Sequence, residues 1–153
     1  MMREPAYPVL VIGAGPAGLA TAASLARRGI PYRLLERGDT LAYSWEQLYD
    51  SLVLHTGRHM STLPGMKYGR GTPLFPTRGD FVRYLRAYAE RFGVHAECGS
   101  EVRALRRSPH GWSATLGDGR VVEGSAAVVC TGIIANPRLP GLPGREAYRG
   151  RLM

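Results

Sequence analysis

Tyr7-Pro8-Val9-Leu10-Val11-Ile12-Gly13-Ala14-Gly15-Pro16-Ala17-Gly18 is the stretch on which the fold turns. Its first half is a continuous run of aliphatic and β-branched residues, the pattern of a strand buried on both faces. Its second half is a glycine loop. Residues 17–28 follow with Leu19, Ala22, Ala23 and either Leu25 or Ala26 on one side, and Gly29 stands where a helix cap belongs. A second apolar strand over residues 32–35 closes at Glu36. Strand, loop, helix and strand make one βαβ unit of about 30 residues.

The loop's chemistry follows from geometry. A pyrophosphate approaches a helix N-terminus closely only where no Cβ blocks it and free backbone N–H groups point at it. Gly13 allows the tight turn off the strand, Gly15 lets phosphates approach, and Gly18 lets the helix pack on the sheet. Pro16 suits the first helical turn, where its missing N–H costs little, and Ala17 continues that turn. Glu36, about 20 positions on, ends the second strand, where its carboxylate can accept both ribose hydroxyls. The full pattern predicts a dinucleotide site. A 2′-phosphate would meet the Glu36 carboxylate at close range, which disfavours NADP. Arg37 softens that argument; it either lies beside the adenine or is an ordinary solvated arginine.

Farther along, residues 37–76 are irregular and rich in Gly, Pro, Thr and His, with one short helix expected over residues 44–49. A loop of that length in a compact domain is usually functional. Thr77 is a plausible N-cap with Asp80 three residues later, and Phe81, Tyr84, Leu85, Tyr88 and Phe92 give the following helix one apolar face. A third short strand is expected over residues 94–97. Between residues 100 and 126 the period changes to two, with turns at Pro109-His110-Gly111 and Gly117-Asp118-Gly119, which predicts a three-stranded antiparallel meander. A last apolar strand over residues 126–130 runs into Thr131-Gly132, and the remainder is rich in Pro and Gly. The expected fold is α/β and Rossmann-like, in three layers, with a parallel sheet ordered 3-2-1-4 and the meander packed on one side.

Composition bounds the alternatives. At 153 residues and 44% hydrophobic, the chain is long enough for one domain with a real core. No stretch reaches the roughly 20 apolar residues of a membrane helix, and the N-terminus lacks a signal-peptide layout, so a cytoplasmic protein without membrane attachment is expected. The net charge of +8 is carried almost wholly by scattered arginines, with Lys67 the only lysine. No nucleic-acid motif accompanies it, and a basic protein whose ligand is nucleic acid is the disfavoured reading. Cys98 and Cys130 are far apart in sequence and form neither a zinc site nor a close redox pair, which disfavours thiol-disulfide flavoenzymes. His55 and His59 are spaced i, i+4, but Gly57 lies between them and Thr56 stands where a metalloprotease helix has Glu, so no metal site is expected.

With these residues read, the chain resembles the FAD-binding half of the two-dinucleotide-domain flavoproteins. Val128-Val129-Cys130-Thr131-Gly132 is similar to that superfamily's second fingerprint, and Asn136-Pro137-Arg138-Leu139-Pro140-Gly141 is similar to the proline-spaced linker of flavin-containing monooxygenases. Glu36-Arg37, Ser44-Trp45, Leu54-His55, Leu63-Pro64, Phe75-Pro76-Thr77 and the Tyr84 to Phe92 pattern resemble the same group, above all its plant auxin-synthesising branch and bacterial relatives. The resemblance implies FAD as cofactor, with Thr131 and Gly132 against the flavin. It also implies that Ser44 and Trp45 approach the phosphates and ribose, and that the backbone of Val102 contacts adenine. Trp45 is alternatively a packing aromatic. His55 is placed on the flavin side of its loop. The family's active-site Asn falls near Thr56-Gly57, where there is none, so no catalytic residue is assigned.

The resemblance further implies that residues 1–153 form a single FAD/NAD(P)-type domain, incomplete, with residues 133–153 as linker. Ala147 to Met153 is similar to the start of an aromatic-x-Gly-x-x-x-His signature that the sequence does not complete. The NADPH domain and a returning sheet strand would follow it. The expected function is an FAD-binding module of a flavin-dependent monooxygenase or oxidoreductase, not catalytically complete alone. The alternative is a non-catalytic module holding only ADP or NAD in the same site. The edge beside the last strand is expected to be covered by a second copy, a second chain or the C-terminal tail.

Overall fold

The computed structural model describes residues 7–133, 138 and 140–150. Residues 136, 137 and 139 of the proline-spaced stretch and residues 151–153 of the final signature lie outside them. The chain runs through β1 (Val9–Ile12), α1 (Pro16–Ala26), β2 (Tyr32–Leu35), α2 (Tyr43–Glu46), α3 (Arg78–Phe92) and β3 (Ala96–Glu97). It continues through β4 (Val102–Ser108), β5 (Gly111–Leu116), β6 (Val121–Gly124) and β7 (Ala126–Val129), with a 3-10 turn at Arg145–Ala147.

β3, β2, β1 and β7 form one parallel sheet in that order, and β4, β5 and β6 form an antiparallel meander, as expected. The first strand alternates between two cores. Val11 and Leu34, paired in register, face Leu19, Ala22 and Ala23 of α1 and Phe81, Tyr84, Leu85 and Tyr88 of α3. Leu10 and Leu35 face the other way, onto Ala114, Leu116 and Val122 of the meander. Two helices, a sheet and a meander thus make three layers, with the central strands β1 and β2 buried on both sides.

Several boundaries differ from expectation for identifiable reasons. β1 starts at Val9 because Pro8 has no N–H to give, and the Val9 N–H bonds the Pro31 carbonyl at 2.9 Å. Leu25 of α1 is half-buried while Ala26 is exposed, which settles that choice. β3 is two residues rather than four, since Val94 ends α3 instead: Gly93 takes φ 60° and the Val94 N–H returns to the Ala89 carbonyl at 2.8 Å. α3 opens on a capping box in which the Thr77 side chain accepts from the Asp80 N–H and the Asp80 carboxylate accepts from the Thr77 N–H.

The long irregular segment is tied down by α3. The Tyr84 hydroxyl accepts the Leu63 N–H and donates to the Met66 carbonyl, both at 2.7 Å, and the Tyr88 hydroxyl donates to the Pro64 carbonyl at 2.9 Å. An isolated bridge joins Val53 to Thr77 in front of the helix. Among the described residues no helix is long and apolar enough to cross a membrane.

Candidate functional site

β2 and β3 lie on one side of β1 and β7 on the other, so the chain's direction of travel reverses beside β1. In open parallel sheets, ligands bind at that point, outside the carboxyl ends of the strands. A cleft of about 710 Å³ lies there, crossing the ends of β2, β1 and β7.

The glycine loop forms its floor. Gly13 sits at φ 102°, and a Cβ on it would stand 2.6 Å from the Cys130 carbonyl oxygen, so the loop and the end of β7 touch backbone to backbone. A Cβ on Gly18 would lie 1.8 Å from the Gly13 oxygen. These two glycines serve packing. Gly15 differs: it caps α1 at φ −79°, within reach of any residue, and a Cβ there would meet no atom of the described residues within 4 Å. The space beside Gly15 is the cleft, and no side chain caps the first turn of α1 behind it. Backbone amides of a helix start facing an open cradle suit an anionic group such as a pyrophosphate.

Glu36 closes one wall. It is 5% exposed, its Oε2 accepts the Ala14 N–H at 2.7 Å, and its Oε1 accepts the Gly38 N–H at 2.9 Å. Each carboxylate oxygen can accept two hydrogen bonds and accepts one from the backbone, so one position on each is left for a ligand hydroxyl. The Glu36 carbonyl accepts the Ser100 N–H at 2.7 Å, which draws Ser100, Glu101 and Val102 into the same wall. The register shift between Val102 and Ala104 bends β4 at this point.

Of the residues singled out in the sequence, Gly13, Gly15, Pro16 and Ala17 line the floor, with Glu36 and Arg37 on one side. Ser44, Trp45 and Val102 stand in the walls, and Thr131 and Gly132 stand at the β7 end. Trp45 lines the cleft and also packs, its ring meeting Phe81 edge-on at 4.5 Å. Arg37 is exposed at the cleft margin. Gly18 lies beneath the floor, and His55 is exposed and is not among the residues that line the cleft. Ala42, Tyr43, Ser100, Glu101 and Ile133 line it without having been singled out. Tyr43, Glu101 and Ile133 carried only a neighbour's signal, lying beside Ser44, Val102 and Gly132. Ala42 carried none, because an alanine at φ 62° looks like any other alanine in sequence.

Cys98 is an exposed and Cys130 a half-buried free thiol. Burial pushes the Cys130 thiol up, and burial together with the Glu36 and Asp39 carboxylates pushes Cys98 up, whereas exchange uses a thiolate.

The sequence matches, over residues 10–151, the family described as pyridine nucleotide-disulphide oxidoreductase. It is 39% identical over 155 residues to an indole-3-pyruvate monooxygenase, YUCCA1, of Oryza sativa subsp. japonica, an alignment covering 99% of this chain and 38% of that protein. The chain thus spans well under half the length of this relative. The fold superposes with a TM-score of 0.84 on a flavin-containing monooxygenase from Stenotrophomonas maltophilia, at 24% identity over 96% of this chain and 44% of the other. With an S-allyl-L-cysteine S-oxygenase from Allium sativum the TM-score is 0.79 at 27% identity, covering 96% of this chain and 41% of the other.

Proposed function

Because the chain belongs to the pyridine nucleotide-disulphide oxidoreductase family, we propose that it is the FAD-binding part of a flavin-dependent monooxygenase. The observation that carries this reading is the open space beside Gly15, framed by the bare start of α1 and by Glu36. Similarity to monooxygenases, together with the fold shared with a flavin-containing monooxygenase, supports a flavin, and a glycine loop facing a buried acidic residue at the end of β2 supports a dinucleotide. A flavin that is also a dinucleotide is FAD.

The residues fit the parts of that group. The first-turn amides of α1 would take the pyrophosphate, and the free positions of the Glu36 carboxylate would accept the adenosine ribose hydroxyls. The Val102 backbone would meet adenine, and Thr131 and Gly132 would border the flavin end. When bound, FAD supplies two-electron redox chemistry that no side chain of the cleft can supply. The chain's own residues bind and orient the group. The Glu36 carboxylate disfavours a 2′-phosphate at this position, and the free, protonated thiols fit a reducing cytoplasmic compartment.

A second reading is favoured by one observation: Thr131 and Gly132 are exposed and Ile133 is 97% exposed, so the flavin end of the cleft is open. On that reading the chain alone grips the ADP half and holds the ring weakly. Purified protein that is yellow, or becomes so with FAD and keeps it through a desalting column, supports the first reading. Colourless protein that binds ADP and FAD equally supports the second. Protein that binds neither ADP nor FAD removes both.

A further inference from the structure

α2 brings Ser44 and Trp45 to the cleft, yet it is only four residues long, too short to hold its own shape. Its entry residue Ala42 has φ 62°, the only positive φ of a non-glycine among the described residues, and is 1% exposed. An L-residue keeps that conformation only where its surroundings over-determine it. What surrounds α2 is a set of clamps at both ends.

At the entry, the Ala42 N–H donates to the Ala14 carbonyl of the glycine loop at 3.0 Å. At the exit, Glu46 is a hub. Its Oε2 accepts the Thr40 hydroxyl at 3.0 Å, and its Oε1 pairs with the Arg86 guanidinium of α3. Its backbone carbonyl accepts from Arg78 Nη1 at 2.9 Å, and the same guanidinium bonds the Leu48 carbonyl and the Asp50 carboxylate. Two arginines from α3 therefore take the carbonyls and the side chain at the end of α2, where a lone helical turn leaves acceptors unsatisfied. Glu46, Arg78 and Arg86 do not themselves line the cleft.

We propose that Glu46, Arg86 and Arg78 are positioning residues for the bound dinucleotide, acting through Ser44 and Trp45; the inference rests on the FAD reading above. The Glu46–Arg86 arm of the clamp contributes little to holding the protein folded. Arg86 is 54% exposed, and an exposed ion pair adds little to stability. What it fixes is the seat of four residues on the cleft wall.

The test uses the full chain and three variants, Glu46→Gln, Arg86→Gln and the charge swap Glu46→Arg/Arg86→Glu. FAD affinity is read by flavin fluorescence titration and stability by urea unfolding without ligand. Each single variant is expected to bind FAD about three- to tenfold more weakly with an unchanged urea midpoint, and the swap to recover most of the affinity. Single variants that bind FAD as wild type does overturn the proposal, as does a loss of affinity matched by a fall in midpoint that the swap leaves uncorrected. In those cases wild-type binding leaves the FAD reading standing. Wild-type protein that binds no FAD removes that reading and this inference together.

Discussion

Glu36 reaches from the end of β2 to the glycine loop, its Oε2 accepting the Ala14 N–H at 2.7 Å, so the residue that would read the ribose also holds the loop in shape. Glu36→Gln places an amide NH2 against either the Ala14 or the Gly38 N–H, two donors facing each other in a buried position. The expected cost is about 1–3 kcal/mol of stability in urea unfolding, together with weaker ADP binding. A variant as stable as wild type would mean that the two backbone bonds carry little.

The three loop glycines separate into two behaviours. Gly18→Ala drives a methyl to 1.8 Å from the Gly13 oxygen, a backbone atom that cannot step aside, and an unfolding free energy lowered by about 2 kcal/mol or more is expected. Gly15→Ala puts its methyl into open space at an ordinary φ of −79°. Its midpoint should match wild type while dinucleotide affinity falls tenfold or more, roughly the effect of one blocked phosphate contact. Undiminished FAD binding by Gly15→Ala would count against the cleft as the cofactor site.

The difference between Gly15 and Ala42 also explains how much of the site was legible in the sequence. The βαβ unit and the meander follow from apolar periodicity and turn residues, because local patterns report which faces are buried, whereas the sheet order rests on the family resemblance. Gly13, Gly15, Gly18 and Glu36 announce themselves through residue type at fixed spacing. Ala42 and Tyr43 reach the cleft by a backbone twist and by contacts with Ala14, Gly38 and α3, relations between distant residues that no local period encodes. The same holds for Tyr84 and Tyr88. Their spacing marks a buried helical face, whereas their hydroxyls do the separate work of fastening residues 63–66.

Those tyrosines set an alkaline limit on stability. Burial raises Tyr68, Tyr84 and Tyr88 above the ordinary tyrosine value of 10.0. Groups raised on folding contribute stability that is complete below the unfolded value and is lost as pH climbs through it toward the folded values. Urea midpoints should therefore hold to about pH 9 and fall above about pH 10. Tyr68 offers an internal comparison, since its hydroxyl is buried with no hydrogen-bond partner among the described residues while Tyr84 makes two bonds. Tyr68→Phe should be neutral or stabilising and soften the alkaline fall; Tyr84→Phe should cost about 1–2 kcal/mol at neutral pH. Equal costs for the two variants would contradict this assignment.

β7 ends the parallel sheet, and among the described residues it pairs only with β1. Its outer side presents unpaired backbone groups, with Val129 61% exposed and Ile133 97% exposed just beyond. An edge of this kind without a charged or proline guard is a template for another strand. Concentration-dependent self-association is expected in light scattering, and Val129→Lys should abolish it by placing a charge on the edge while leaving the fold intact. Association that survives Val129→Lys would move the interface elsewhere. A wild-type chain that stays monomeric at high concentration would show that this edge does not recruit a second copy.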